Sequence, residues 1–181
     1  GDGGDGAAGS HGVTYGIATN PIGPGSGGAS APGVSWAPEG GGNGGGSVWI
    51  QAAGTVTVGG SISADGEWAR GSSHAGGGSG GAVFIQARYF TGPASGRLSA
   101  KGGGGIEAGG GGGGGRIAVW YSGSSYLGTI DMSGGPAGAW PGPKPGSTGT
   151  YAEVVIPTPS SLAVAGSPGN YGSAAPYNYG V

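Results

Sequence analysis

The chain has 181 residues, of which 53 are glycine and 13 are proline, and it contains no cysteine. Glycine is a poor helix former, and no segment shows a 3.6-residue apolar period, so we expect almost no helix. Six Lys or Arg and eight Asp or Glu residues give a formal net charge of −2, without the basic stripe that nucleic-acid binding requires. The lack of cysteine excludes disulfides and thiolate metal sites, and no apolar stretch is long enough to insert into a membrane.

One phrase recurs along the chain, a run of glycines that leads directly into an alternating apolar segment. The apolar segments begin at Val48, Val83 and Ile117, at steps of 35 and 34 residues. A further step in each direction reaches Val13 and Ala152, so that five segments share one register. A repeated unit of this length is typical of a solenoid, because each unit buries its apolar face only against its neighbours.

Within these segments apolar residues alternate with mixed ones, which is typical of strands with one buried face. The predicted inward rows are Val13, Val48, Val83, Ile117 and Ala152; Tyr15, Ile50, Ile85, Val119 and Val154; and Ile17, Ala52, Ala87, Tyr121 and Ile156. A shorter apolar segment follows in the three central repeats. Its two predicted rows are Ile62, Leu98 and Ile130, and then Ala64, Ala100 and Met132.

The glycine runs end at the same point of every central repeat. Glycine chains readily adopt an extended polyproline-II path, which has no internal hydrogen bonds and therefore needs neighbouring chains to bond its backbone. Without a Cβ, such chains also approach each other closely. We therefore predict ordered glycine passes that stack on one another.

These features predict an all-β repeat protein, a parallel β-solenoid of about five coils with glycine-rich polyproline-II-like passes. Residues 1–157 are predicted to form one repeat domain, in which 1–46 are an atypical cap, and 158–181 an extended C-terminal arm. Two alternatives remain open. An antiparallel β-sandwich is favoured by the hairpin signal at Gly59 and Gly60, and a bundle of polyproline-II helices by the glycine content.

The segments GGGSGGAVFIQA, SGRLSAKGG and GGGGGGGRIAVWYSG resemble the glycine-rich repeats of very large bacterial cell-surface and secreted proteins. The resemblance covers residues 40 to 135. The chain is also loosely similar to the coils of filamentous-haemagglutinin-type adhesins. The resemblance implies an extracellular β-helical protein with a role in adhesion or in a matrix, and it transfers no functional residue.

The densest polar cluster is the loop DGEWARGSSH, which holds Asp65, Glu67, Trp68, Arg70 and His74. An acid–base pair in a β-helix can act on polysaccharide, but here both carboxylates lie on one loop and no other segment adds a third group. We interpret the loop as a surface segment with local ion pairing. We predict that the protein is not an enzyme and that it has no catalytic, metal or cofactor site.

Aromatic side chains mark the predicted outward face at Trp49, Phe84 and Trp120. A flat strip of this kind can stack on sugars, contact another subunit or be buried by the glycine passes, and we rank burial first. Thr55 and Thr57 would begin a threonine array of the kind that binds ice, but a step of 35 places Phe90 and Gly92 opposite them, so the array is not repeated.

The leading functional hypothesis is a structural extracellular protein that assembles with copies of itself, head to tail, into a filament or surface fibre. Unpaired strand edges at the ends of a solenoid favour such addition. The arm from Thr158 to Val181 would connect subunits, with Tyr171, Tyr177 and Tyr179 as possible contacts. The alternative is a carbohydrate-binding adhesin module that binds glycans through Trp49, Trp68 or Trp120.

Overall fold

In a computed structural model of the chain, the structure describes residues 16–30, 40–71 and 74–157. This part of the chain contains seven strands and no helix, hence none that is long and apolar enough to cross a membrane. The strands are β1 (Ser47–Thr57), β2 (Ser61–Ser63), β3 (Ala82–Gly92), β4 (Arg97–Ser99), β5 (Arg116–Tyr126), β6 (Thr129–Asp131) and β7 (Thr150–Val155).

The strands form two parallel sheets, one of long strands in the order β1-β3-β5-β7 and one of short strands in the order β2-β4-β6. Each coil contributes a long strand and then a short strand, and the next coil adds the same pair on top. This confirms the parallel β-solenoid and excludes the antiparallel sandwich. About five coils were predicted; the described residues form three and the first strand of a fourth, and the coil predicted at Val13 lies outside them.

The core lies between the two sheets. Val48, Val83 and Ile117 stand on one another in the long-strand sheet, as predicted, and Ile62, Leu98 and Ile130 do so in the short-strand sheet. Each apolar side chain that is fully buried contributes about 1.5–3 kcal/mol. The fully enclosed apolar side chains of this core are Val83, Ile85, Leu98, Ile117 and Val119.

Two parts of the predicted register are wrong at the edges of the repeat. β7 pairs Tyr151 with Ile117, and Ala152 with Ala118, so the last step is 34 residues and Ala152 lies on the outer face. Ile17 was expected in an inward row, but it lies in no strand and is 67% exposed. In the last coil, Tyr151 takes the inward position instead of Ala152. No short strand among the described residues faces β7, so burial does not require an apolar side chain there.

A β-bulge explains why the first step is 35 residues and the later steps are 34. Ala52 pairs with Ala87 and Thr55 with Tyr89, so that two residues of β1 face the single residue Arg88. After the bulge, β1 and β3 are 34 residues apart, as β3 and β5 are throughout. The extra residue is therefore absorbed locally, and the stacking of the coils continues unchanged.

The other half of each coil consists of glycine passes in three layers. The middle layer precedes the long strands and comprises residues 40–46, 75–81, 109–115 and 144–149. The back layer follows the short strands and comprises 64–70, 100–105 and 132–138, and one front pass, 24–30, lies on the other side of the middle layer. The predicted stacking of glycine passes is confirmed, and the polyproline-II bundle is one half of the solenoid.

The middle pass 75–81 shows the three-residue period of polyproline II directly. Three consecutive N–H groups donate in three directions: Gly76 to Ala29 O in the front pass, Gly77 to Gly110 O in the next middle pass, and Gly78 to Glu67 O in the back layer. The next three repeat this order, because each residue of the helix turns by about 120°. The same order continues in the donor–acceptor pairs Ser79 with Ser26, Gly80 with Gly113, and Gly81 with Ala64.

Glycine is required where passes touch, because their backbones lie closer than any side chain permits. A Cβ on Gly112 would lie 2.1 Å from the Gly78 carbonyl oxygen, and one on Gly103 would lie 1.8 Å from that of Glu67. Real Cβ atoms do not approach oxygen so closely, so a side chain forces the two passes apart.

Candidate functional site

The predicted aromatic strip exists on the outer face of the long-strand sheet, and it is covered at its centre. The rings of Trp49 and Phe84 have centroids 4.3 Å apart at 31°, and those of Phe84 and Trp120 lie 5.5 Å apart at 67°. Phe84 is only 2% exposed, whereas Trp49 is 49% exposed. A sugar therefore has access to the Trp49 end of the strip but not to its middle.

Residues 16–22 cross this face close to the strip. Trp120 Nε1 donates to Thr19 O at 2.8 Å, and Ser47 Oγ donates to Ile22 O at 3.3 Å. The segment thus runs from β5 to β1 over the outer side of the sheet. The sequence gives little sign of this crossing, because the segment is short and its contact with Trp120 joins residues that are 101 positions apart in the chain.

In the loop predicted as the densest polar cluster, the two carboxylates bond to different partners. The Asp65 carboxylate accepts bonds from Ser99 Oγ at 2.5 Å and from Lys101 N at 2.7 Å, both in the next coil. Glu67 turns instead towards Arg70. The two carboxylates therefore serve separate structural bonds and do not converge on a common point.

His74 meets partners from two later coils. Its Nδ1 lies 3.5 Å from Glu107 Oε2, and its ring packs edge-on against Trp140 with centroids 4.9 Å apart. His74 and Glu107 both adopt positive φ, at 51° and 50°, which is uncommon for residues with side chains. The grouping was not predicted, because its members come from three turns that no sequence motif connects.

The first end of the solenoid has a closed half and an open half. In the glycine half, Asn43 and Glu67 occupy positions at which the next coil has Gly78 and Gly103. A Cβ on Gly78 would clash with the Asn43 carbonyl group, and a Cβ on Gly103 would clash with that of Glu67. Asn43 Nδ2 donates to Glu67 Oε2 at 2.9 Å, and Arg70 Nη2 bonds the same oxygen at 2.5 Å. These three side chains form a polar cap over the first glycine passes.

The strand half of the same end is open as far as the described residues show, since no described strand pairs with it. β1 and β2 are edge strands, and their inward side chains are only partly buried, although the corresponding side chains of the next coil are fully enclosed. Unpaired parallel edges with apolar side chains are sites for the addition of another strand. The open strand half comprises Val48, Ile50, Val56 and Ile62.

At the opposite end, β7 is the other edge strand of the long-strand sheet among the strands that the structure describes. Its core-facing side carries Tyr151 and Glu153, and the Glu153 carboxylate accepts a bond from the Tyr121 hydroxyl. Partial burial, with a smaller effect of the nearby Tyr126, raises the pKa of the Tyr151 phenol. This end is more polar than the open strand half of the first end.

Asp131 is bonded at the edge of the short-strand sheet, 2.8 Å from the Arg97 guanidinium. Partial burial acts to raise its pKa, but bonds from the Ser133 N–H and hydroxyl, with the charges of Arg97 and Lys101, outweigh burial and hold the pKa below its ordinary value. The carboxylate is therefore ionised and engaged at neutral pH, and it acts as a structural group.

A row of hydroxyls was missed because of the bulge in β1. The true register aligns Thr57 with Thr91 and Ser125, and the last two share a hydrogen bond of 2.9 Å. A uniform step of 35 had placed Gly92 opposite Thr57. The neighbouring row on the same face contains Thr55 and Tyr89 and has no such series of Ser and Thr side chains. The row of Ser and Thr hydroxyls is therefore a single row and not a two-dimensional array.

Trp68 is the most exposed tryptophan of the described chain, at 60%, and its ring lies over the backbone of Gly104. Tyr171, Tyr177 and Tyr179 lie outside the described residues. No group of three or more His, Asp or Glu residues in the described ranges is arranged to hold a metal ion. Comparisons of the chain with protein-family models, with curated proteins and with solved structures gave no match.

Proposed function

We propose that the protein is a structural subunit of an extracellular filament or surface fibre in which copies join head to tail. The observation that carries this proposal is the open strand half at the first end, a partly exposed apolar edge with which no strand of the described chain pairs. All long strands are parallel, so β1 of one copy has the polarity needed to pair with β7 of another. Such a contact repeats without closing and therefore builds a fibre.

The polar cap limits where the two copies touch. Asn43 and Glu67 carry side chains at places where stacking of glycine passes needs glycine, so the passes of a second copy do not fit against them. The join is therefore made by the strands, and the cap sets the position of one subunit on the next. The low charge of the chain, with 14 charged residues among 181, leaves little repulsion between copies.

Replacing Ile62 by lysine tests the open strand half. Ile62 is partly buried in β2 with its side chain towards the core, whereas its neighbour Ser61 is exposed on the other face. A lysine among the edge's apolar side chains blocks strand addition. We expect Ile62→Lys to give single particles in negative-stain microscopy and light scattering, while wild type and Ser61→Lys give fibres. Fibres from Ile62→Lys would contradict a join through this edge.

A chain that ends at Pro157 tests the arm separately. If the arm connects subunits, this chain stays monomeric although its open strand half is intact. Fibres of undiminished length from the shortened chain would remove the arm from the proposal and leave the strand edge as the connector. The extracellular location is proposed on the resemblance to cell-surface repeats.

A carbohydrate-binding adhesin module is the second candidate. It is favoured by three tryptophans that remain about half exposed, Trp49, Trp68 and Trp140 at 49%, 60% and 54%. Exposed indole faces stack well on sugar rings. Single particles from the wild-type chain, together with quenching of tryptophan fluorescence by added polysaccharide, would favour this candidate over the filament.

A further inference from the structure

A cleft of about 390 Å³ runs across the long-strand sheet at the level of Arg88. Its lining includes Ala52 and Ala53 of β1, Gln86 and Arg88 of β3, Ser122 of β5, and Ile156 just after β7. Ligand-binding clefts have volumes of about 300–1,000 Å³, so this cleft is large enough for one small molecule.

The bulge in β1 and the small side chains beside Arg88 explain why a cleft forms here. Ala53 and Gly54 of β1 face Arg88 from one side, and the register of β3 with β5 places Ser122 opposite it on the other side. One long side chain between neighbours as small as these leaves open space on the sheet. β-Bulges are frequent beside binding and catalytic sites, where they change the direction of a side chain.

The polar side chains of the cleft are all able to donate hydrogen bonds. Arg88 is the single charged residue among those that line it, and no carboxylate is among them. The guanidinium carries five N–H groups in a rigid fork that matches a carboxylate. Gln51 Nε2 donates to Gln86 Oε1 at 3.2 Å, so the oxygen of Gln86 is engaged and its Nε2 hydrogens are the group suited to a ligand. With the Ser122 hydroxyl as a third donor, the cleft favours a ligand that accepts hydrogen bonds and carries negative charge.

The rest of the lining is apolar and narrows the class of anion. It consists of Ala52, Ala53, Ala87 and Ile156. A phosphate or sulfate ion has only oxygen atoms to place against these methyl groups, whereas a sugar ring covers them with its C–H groups. The single positive charge of Arg88 matches a single carboxylate. A sugar ring that bears one carboxylate meets all of these conditions.

We propose that this cleft binds a uronic acid, the carboxylate-bearing sugar unit of acidic polysaccharides. Arg88 binds the carboxylate, and Gln86 and Ser122 donate to the ring oxygens. The lining belongs to one subunit, so the site does not depend on the filament. It is also separate from the exposed tryptophans of the second candidate function, since the described lining includes none of them.

Calorimetric titration of the full chain with sodium glucuronate tests this site. We expect the wild-type chain to bind glucuronate and Arg88→Gln to bind it at least about tenfold more weakly, because a charge-assisted hydrogen bond is lost. Arg97→Gln is the matched control. It removes the same charge from the short-strand sheet, where the Arg97 side chain is 42% exposed, and it should keep the wild-type affinity.

Two further probes separate the charge of the ligand from its ring. Glucose has the ring without the carboxylate, and inorganic phosphate has charge without the ring. Both should bind at least about tenfold more weakly than glucuronate. Binding of phosphate as tight as that of glucuronate would show a general anion site, and equal binding of glucose would show that Arg88 does not select a carboxylate; either result would overturn the proposal.

Ala53→Leu tests the cleft without changing its charge. Ala53 is exposed, so the larger side chain is compatible with folding, and it should fill the cleft and weaken glucuronate binding as Arg88→Gln does. No binding by the wild-type chain, or equal binding by wild type and Arg88→Gln, would contradict the site. Loss of binding in Trp68→Ala with full binding in Arg88→Gln would place the sugar on an exposed indole instead and would also overturn the proposal.

Discussion

Replacing Gly112 by alanine is expected to destabilise the folded solenoid strongly. The added Cβ would lie 2.1 Å from the Gly78 carbonyl oxygen and 2.4 Å from its carbon, inside the packed glycine half. Both contacts are with backbone, which yields only if two passes separate and break their hydrogen bonds. Overpacking of this kind costs about 3 kcal/mol or more, a large part of the stability of a domain. Chemical denaturation followed by tryptophan fluorescence measures the loss.

Gly46→Ala is the matched control. Gly46 also belongs to a middle pass, but a Cβ there meets no atom within 4 Å, because no coil lies beneath it in the described chain. We expect its free energy of unfolding to stay within about 1 kcal/mol of wild type. Equal losses in Gly112→Ala and Gly46→Ala would show that glycine acts through chain flexibility and not through close packing.

Leu98→Ala is expected to have the largest effect among substitutions in the strand half. Leu98 is fully buried in β4, with Ile62 and Ile130 as its neighbours in the row between the sheets. Removing Cγ and its two methyl groups opens a cavity that the glycine half of the coil does not allow to collapse. The expected loss is about 2–5 kcal/mol in the free energy of unfolding.

Leu127→Ala is the matched control, because it makes the same substitution at a leucine that is 73% exposed in the turn after β5. Its loss is expected to stay within about 0.5 kcal/mol. If both leucine variants were equally stable in denaturant titrations, Leu98 would not lie in a packed core, and the two-sheet arrangement would be wrong.

Periodicity predicted much of the fold because the coils repeat. The rows through Val83 and Leu98 follow from spacing and alternation alone, since a one-residue slip would turn apolar side chains out of the core. The failure at Ala152 has a local cause. With no short strand opposite β7 in the described chain, burial does not favour one face, so alternation does not fix the register there.

The sites were less predictable than the fold. The contacts of His74 with Glu107 and Trp140 depend on turns that bring three coils together, and turn geometry is not encoded in apolar spacing. The polar cap did have a signal, since Asn43 interrupts a run of glycines. Its meaning becomes clear only when the passes are known to stack, because at this position of the coil the later residues Gly78 and Gly112 have no room for a Cβ.

The most direct test of the half-strand, half-glycine coil is amide hydrogen exchange across the middle pass 75–81. All six amides from Gly76 to Gly81 donate to three different neighbours in the structure. We therefore predict that all six exchange as slowly as the amides of β3, although five of the six residues are glycine. Exchange at the rates of an unstructured glycine chain, with protection confined to the strands, would contradict the account.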